Sequence, residues 1–283
     1  MELLRARPLG LPFACGKTVA VIGGGNAAID TARTALRLGA RSVTVLYRRT
    51  RDEMPAYAEE IEAALAEGVR LEEVAAPVEF VGDAGALAGI KMVRMRMGDV
   101  DARGRRQSVP VEGSEFLYPC DMAVTAVGQL PSVEPAAGLI TLDRMGGVKT
   151  DVVTGATSAA GVFAGGDCVS GGATVIEAVA AGQRAAVSID RLLGGAGLLP
   201  ANLGPSLWRP TDEQLERITP RAREPELAAA ARVASFDEVL GPLSTAVACA
   251  EASRCMRCDL ERAAARATTR GQREAVHAAR RAG

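Results

Sequence analysis

Apolar and polar residues recur with different periods along this chain, and the changes of period mark its elements. Residues 18–22 (T-V-A-V-I) are a short β-branched run, which predicts a buried strand. Gly23, Gly24 and Gly25 form a turn. From 26 to 38 the apolar positions recur at helical spacing, and Gly39 ends the helix. Residues 43–47 are a second strand, so the segment reads β-α-β, a parallel pair with a crossover helix. Pro55 opens a second helix with Ile61, Ala64 and Leu65 on one face, ending at Gly68. Residues 78–118 hold short alternating stretches, such as I-K-M-V-R-M-R-M at 90–97, broken by Gly and Pro. They predict an antiparallel meander. Another strand spans 121–128 and ends in glycine. Gly-rich turns follow, then a strand at 162–164 and a helix from 173 to 193, with Val175, Ile176, Val179 and Ala180 on an apolar face.

After G-G-A-G at 194–197 the composition shifts to Pro, Ala and charged residues, and the αβ alternation stops. The body is therefore expected at 1–195 and an appendage at 196–283, its tail a frayed charged helix or disordered. The 283 residues suit one large or two modest domains, and 48% hydrophobic residues allow a real core. Aromatics are only 3%, so that core must be aliphatic. A net charge of −1 gives no general attraction to nucleic acid or an anionic membrane. Apolar runs fall short of the roughly 18 residues of a membrane span, and M-E-L-L-R-A-R-P-L-G is no signal peptide. The default expectation is a cytoplasmic location, with no nucleic-acid and no membrane partner.

The strand–G-G-G-N-A-A–helix arrangement carries chemistry. Gly23 permits a tight turn, Gly25 lets backbone approach a pyrophosphate, and Ala28 lets the helix pack close. The helix N-terminus then offers N–H groups and a positive dipole end to phosphates. About 20 residues on, an NAD-selective site usually places an acid that holds the ribose 2′-OH. This chain has Tyr47, Arg48, Arg49, Thr50 and Arg51 there. Guanidinium groups match phosphate geometry with forked donors, so a 2′-phosphate and NADP(H) are expected. The bland alternative is a solvated surface turn.

V-I-G-G-G-N-A-A-I-D-T-A-R-T-A-L-R-L-G-A, then V-T-V-L-Y-R-R-T-R-D-E-M-P-A, A-V-G-Q-L-P at 126–131 and G-V-F-A-G-G-D-C-V-S-G-G-A-T-V-I-E-A-V-A-A-G-Q-R-A-A at 161–186 carry a family signature. The chain resembles the NADPH-dependent glutamate synthase small-subunit family over nearly all of residues 10–193. The resemblance implies an α/β flavoprotein fold: a Rossmann-like NADP-binding domain with an antiparallel meander, inserted into a second Rossmann-like FAD domain of which this chain holds the C-terminal part. The implied divisions are a remnant of an FAD-domain helix and linker at 1–15, the NADP domain at 16–128, the FAD portion at 129–195 and the appendage beyond. Gly128 and Gln129 resemble the start of the hinge between domains. By resemblance Gly23, Gly24, Gly25, Asn26 and Ala27 would contact the NADP pyrophosphate. Arg48 and Arg49, with Arg51 as a lesser candidate, would hold the 2′-phosphate. Asp167 would bind the FAD ribityl chain and Gly166 would make room. Ala173, Thr174 and Val175 would begin a helix aimed at the flavin N1/O2 edge, where a dipole stabilises the charge of reduced flavin.

The implied reaction is hydride transfer from NADPH to FAD, with electrons then leaving singly toward an iron–sulfur or partner acceptor. It needs alignment more than a protein acid or base, so no catalytic side chain is assigned. The family's FAD half carries its own Gly-rich loop and a following Glu ahead of the NADP domain. Only one such loop occurs here. The FAD site is therefore expected to be incomplete, and the chain to be a fragment or a subunit whose missing FAD half lies on another chain. Residues 155–193 should then expose an apolar face. The alternative function is an NADP-binding module with no autonomous flavin activity.

Cys249, Cys255 and Cys258 are candidate metal ligands, since C-x-x-C often opens zinc or iron–sulfur ligation. No fourth Cys follows, and a tail or interface segment is the competing reading. Cys15, Cys120 and Cys168 read as small packing residues. His277 stands alone in the tail, which excludes a His-centred triad in the body.

Overall fold

The computed structural model describes residues 2–6, 9–10, 12–100, 104–133, 138–198 and 220–255. A short helix, α1 (Glu2–Ala6), precedes β1 (Thr18–Ile22), α2 (Asn26–Arg37) and β2 (Ser42–Leu46). A 3-10 turn at Arg51–Glu53 leads to α3 (Ala58–Ala66) and β3 (Arg70–Glu72). Three long strands follow, β4 (Ala75–Asp83), β5 (Ala86–Val100) and β6 (Arg106–Pro119), then β7 (Met122–Thr125).

The unbroken apolar run of β1 reflects burial on both faces. Val19 and Val21 pack with Ala28, Ile29, Ala32 and Ala35 of α2, while Ala20 and Ile22 pack with Ile90 and Met92 of β5. The parallel sheet has the order β3-β2-β1-β7, and the antiparallel sheet the order β4-β5-β6. In register, Val19 lies beside Val43 on one side and Met122 on the other. The two central helices end alike. Gly39 (φ 96°) and Gly68 (φ 93°) take the left-handed conformation that stops a helix. Ala40 and Val69 then donate back to the carbonyls of Ala35 and Ala64, at 3.1 and 3.0 Å. Asp121, just before β7, accepts from the amides of Lys17 and Thr18 at 3.0 and 2.9 Å, tying the start of β1 to β7.

One polar atom in this sheet is unsatisfied. Thr44 Oγ1 is buried on β2 with no hydrogen-bond partner among the described residues. Thr44→Val should therefore keep the fold and raise stability by about 1 kcal/mol. A lower denaturant midpoint for Thr44→Val would contradict this.

The chain divides into two compact units, residues 1–128 with 226–241, and residues 129–225 with 242–283. The segment Glu226–Gly241, expected in the appendage, thus belongs with the first unit. A buried ion cluster explains why. Glu67, fully enclosed at the end of α3, takes Arg33 and Arg37 of α2 at 2.8 Å each. Arg232, on the short helix α6 (Ala229–Ala234), lies 4.0 Å from the same carboxylate and 2.8 Å from Glu226. Burial alone would raise the Glu67 pKa, but hydrogen bonds from Arg37 and Arg33 and their charges outweigh it and hold the carboxyl below its ordinary range.

The second unit contains α4 (Asp167–Ser170), α5 (Val175–Leu192) and α7 (Thr245–Ser253). The strand expected at 162–164 is only one antiparallel bridge, Phe163 with Ala156. Its neighbour 155–157 pairs with it through two amides, Thr157 to the Val162 carbonyl and Ala164 to the Gly155 carbonyl at 2.9 Å each, and among the described residues the ladder extends no further. Burial follows the same logic: among the described residues Val148 is the one buried hydrophobic residue of this unit. Val175 and Ile176 are 78% and 75% exposed, and Val153, Leu192 and Leu193 are exposed too. Pro55 does not open the second helix either. The 3-10 turn precedes it, and α3 begins at Ala58.

Candidate functional site

The glycines between β1 and α2 have separate jobs. Gly23 adopts φ 145°, and a Cβ there would overlap the carbonyl oxygen of Ala126 at the end of β7. It therefore serves strand packing as well as the turn. A Cβ on Gly24 would overlap the Tyr47 ring. Gly25 is different: a Cβ there would meet nothing within 4 Å, so its face opens outward. Gly25 is also the N-cap of α2, without a capping side chain and without an acidic residue in the first turn. The amides of Asn26 and Ala27 have no acceptor among the described residues. That combination suits a phosphate anion. Asn26 is partly committed elsewhere, because its Oδ1 accepts from the Tyr57 amide at 2.9 Å. Ala28 is fully buried, as close helix packing requires.

The three arginines after β2 are not equivalent. Arg48 is exposed. Arg49 is buried, and its Nε donates to the carbonyl of Arg106 at 2.9 Å. Arg51 pairs with Glu62 of α3, and its amide donates to the Glu73 carboxylate. Sequence reasoning missed a fourth guanidinium. Arg106, the first residue of β6, donates through Nε and Nη2 to the two Glu53 oxygens at 3.1 Å each, and reaches Thr50 Oγ1 at 3.4 Å. Hydrogen bonds from Arg106 and then Thr50, against a small burial effect, hold the Glu53 carboxyl below its ordinary range. Tyr47 connects this cluster to the glycine loop: its ring lies against Gly24 and its hydroxyl donates to the Glu53 carbonyl at 2.9 Å. Val74, a β-branched residue at φ 54°, backs the cluster by donating its amide to the Arg49 carbonyl at 3.1 Å. Such strain persists only where surrounding contacts impose it.

The first stretch of the first unit ends at Gly128 (φ 110°), and Gln129 opens the second unit. In that second unit Asp167 is exposed at the start of α4, and its Oδ1 accepts from the Ala173 amide at 3.2 Å. Thr174 caps α5 reciprocally with Glu177: the Thr174 amide donates to Glu177 Oε2 at 2.9 Å and the Glu177 amide to Thr174 Oγ1 at 3.3 Å. Of the amides expected to face a flavin edge, those of Ala173 and Thr174 are thus taken up internally. Val175 keeps its amide without an acceptor among the described residues. Gly166 needs its positive φ of 76°, but close packing falls mainly on Gly165, whose Cβ would sit 2.8 Å from that of Ala181. A cavity of about 390 Å³ opens here, lined by Gly165, Gly166, Ala173, Glu177, Ala181 and Arg184 among others.

Among the described residues the cysteines form no metal-binding group. Cys15 Sγ lies 3.7 Å from the Ala35 carbonyl and Cys168 Sγ 3.3 Å from that of Gly165. Burial, then the Asp121 charge, pushes the Cys15 and Cys120 thiols up, as befits unreactive packing residues. Cys249 and Cys255 are exposed. Cys258 and His277 lie outside the described residues. Among the described residues no group of three His, Cys, Asp or Glu side chains could hold a metal.

An open glycine loop on a parallel sheet, with guanidinium groups at the tip of the next strand, is the geometry of a dinucleotide-binding domain. The profile of the pyridine nucleotide-disulphide oxidoreductases matches residues 2–184. The chain belongs to that family. It is 44% identical to the beta subunit of the NADP(+)-dependent formate dehydrogenase of Moorella thermoacetica over 257 residues, 86% of this chain and 36% of that protein. It is 43% identical to a glutamate synthase [NADPH] small chain, so named as putative there, of Cereibacter sphaeroides over 180 residues, 62% of this chain and 43% of that one. The chain therefore spans less than half the length of these curated relatives. Among solved structures, T. acidophilum thioredoxin reductase shares the fold with a TM-score of 0.51 at 24% identity, covering 68% of this chain and 57% of that one.

Within this pyridine nucleotide-disulphide oxidoreductase, Arg106 and Glu53 escaped sequence reading for a physical reason. Arg106 follows the tip of a hairpin in another sheet, and nothing in its local sequence marks it as a neighbour of residues 49–53. The R-R-T-R cluster marked the loop but not which of its arginines are already engaged. No helix among the described residues is long and apolar enough to cross a membrane.

Proposed function

We propose that this chain is the NADP(H)-binding component of a flavin oxidoreductase, taking reducing equivalents from NADPH and passing them by way of FAD to a partner or iron–sulfur acceptor. The observation that carries this reading is the open Gly25 face at the start of α2 joined, through Tyr47, to an arginine cluster beyond β2. In this reading the amides of Asn26 and Ala27 bind the pyrophosphate, and Arg48 and Arg49 bind the 2′-phosphate. Arg51 is the lesser candidate because Glu62 already engages it.

The residues of α4 and α5 fit part of a flavin. The second Asp167 oxygen can accept from a ribityl hydroxyl, and the Val175 amide at a helix N-terminus can face an electron-rich ring edge. Bound FAD would supply the ability to accept a hydride and give up electrons one at a time. What the protein contributes is alignment and a fixed dipole, and no side chain needs to move a proton. The exposed apolar face of α5 and the relatives named as beta or small subunits support a further polypeptide that completes the flavin site. The second reading is an NADP(H)-binding module without flavin activity of its own. It is favoured by the internal capping of α5, which leaves one of the three expected amides for a flavin.

Purified chain should be stabilised against heat by NADPH more than by NADH at equal concentration, since only binding to the folded state raises the midpoint. Equal shifts with the two nucleotides would remove the role given to the arginines, and no shift with either would remove the nucleotide site. A protein-bound flavin spectrum after FAD addition separates the two readings: its presence supports the enzyme component, its absence the binding module.

A further inference from the structure

We propose that Arg106 is a specificity-determining residue of the dinucleotide site: it neutralises Glu53 and turns its remaining N–H groups toward the ribose 2′-phosphate. This rests on the NADP(H) reading above and names a residue from the other sheet as part of that site. The starting point is an apparent contradiction. A carboxylate near the ribose favours NAD, because it accepts from the 2′-OH and repels a 2′-phosphate. Glu53 lies in the loop that follows Arg48 and Arg49, and its carboxylate is partly exposed. Left alone it would oppose the preference of the arginines.

Arg106 removes that opposition. Its fork meets both Glu53 oxygens at 3.1 Å, the bidentate arrangement in which arginine binds carboxylate best. Thr50 Oγ1 donates to Glu53 Oε2 at 3.0 Å, so the carboxylate is held from two sides. These contacts occupy Arg106 Nε and Nη2. Its Nη1 has no partner among the described residues, and the side chain is 45% exposed. The backbone ties the position down. The Arg106 carbonyl accepts from Arg49 Nε, so the start of β6 and the arginine loop are fixed to each other. Arg48, Arg49 and Arg106 then form the cationic set, while Arg51 is drawn away to Glu62.

The test uses the whole chain with 2′,5′-ADP and 5′-AMP as probes, which differ by the 2′-phosphate alone, and calorimetry as the readout. Arg106→Gln should weaken 2′,5′-ADP by about 10–100-fold, the size of a lost charge-assisted contact from Nη1 plus an unmasked carboxylate. It should change 5′-AMP by less than about twofold. Adding Glu53→Gln to Arg106→Gln should recover part of the loss, because the bare carboxylate is gone. An unchanged ratio of the two affinities in Arg106→Gln, or no recovery in the double variant, overturns the proposal. If Arg106→Gln does not fold, Glu53→Gln alone decides: 2′,5′-ADP should bind as tightly as before or tighter, and weaker binding counts against the proposal. Equal binding of the two probes to the unaltered chain would instead defeat the NADP(H) reading itself.

Discussion

Replacing Glu67 with glutamine is expected to destabilise the first unit by about 3–5 kcal/mol, the cost of leaving buried charges without their counter-ion. Arg33 and Arg37 are only 14% and 8% exposed, and Glu67 is enclosed completely. Glutamine fills the same volume but leaves Arg37 without a carboxylate partner, and Arg33 and Arg232 with only the partly exposed Glu60 and Glu226. Removing a cation should cost less. Arg232→Met should lose about 1–2 kcal/mol, since two arginines still neutralise Glu67 and the half-exposed Glu226 that it releases can be hydrated. The pH dependence has a definite sign. The folded-state carboxyl is held below its ordinary value, so the unfolded chain binds more protons in that range and stability rises with pH. The contribution is fully present above the unfolded pKa of about 4.3 and is lost as pH falls through the lowered folded pKa. Urea midpoints between pH 3 and 7 should show a shallower acid slope for Glu67→Gln than for the unaltered protein. Parallel slopes, or a loss below about 1 kcal/mol, would show that the cluster is not held together by this charge.

The second large effect separates folding from binding within one loop. Gly23→Ala should cost roughly 2–5 kcal/mol, from the strain of a positive φ and from forcing β1 and β7 apart at the Ala126 carbonyl. Gly25→Val should cost only about 1 kcal/mol, the penalty of valine at the α2 N-cap, since its φ of −89° suits any residue and its Cβ would meet nothing within 4 Å. Yet under the proposed function the valine would stand where a pyrophosphate approaches the α2 amides, so NADPH affinity should fall on the order of 100-fold. Calorimetric titration with NADPH beside a urea melt reads both quantities. A Gly25→Val protein that folds and binds NADPH normally would place the phosphates elsewhere.

The β-α-β core and the meander were legible because their periods are set by burial. V-A-V-I at 19–22 has no polar position because both faces of β1 are covered there, and G-G-G marks a place where backbone passes close to backbone. Gly39 and Gly68 could be read as helix ends for the same reason: a left-handed residue is needed there. The strand at 162–164 was misjudged because a strand is a property of a pair, and local sequence says nothing about the neighbour. The ion cluster was hidden differently. With 33 basic and 34 acidic residues in the chain, no local feature distinguishes Glu67 or Arg232 as partners. That residues 226–241 group with the first unit could not be read from their composition for the same reason. At the arginine site, residue type and spacing located the loop, but engagement of Arg51 by Glu62 and arrival of Arg106 from β6 depend on the packing of the two sheets.

The position of β7 beside β1 bears on how the polypeptide acquires its structure. Val19 and Met122 are neighbours in the central sheet though roughly 100 residues separate them, and the arginine that completes the Glu67 cluster comes later still. Pairings of this kind must wait for the intervening chain to be made and ordered, which slows folding. While the ribosome works through the meander, one flank of β1 has no strand to pair with, and its unpaired edge is open to association with other nascent chains. The first unit reaches its final form only after residue 241 has emerged, so part of its packing is supplied by a segment synthesised after most of the second unit.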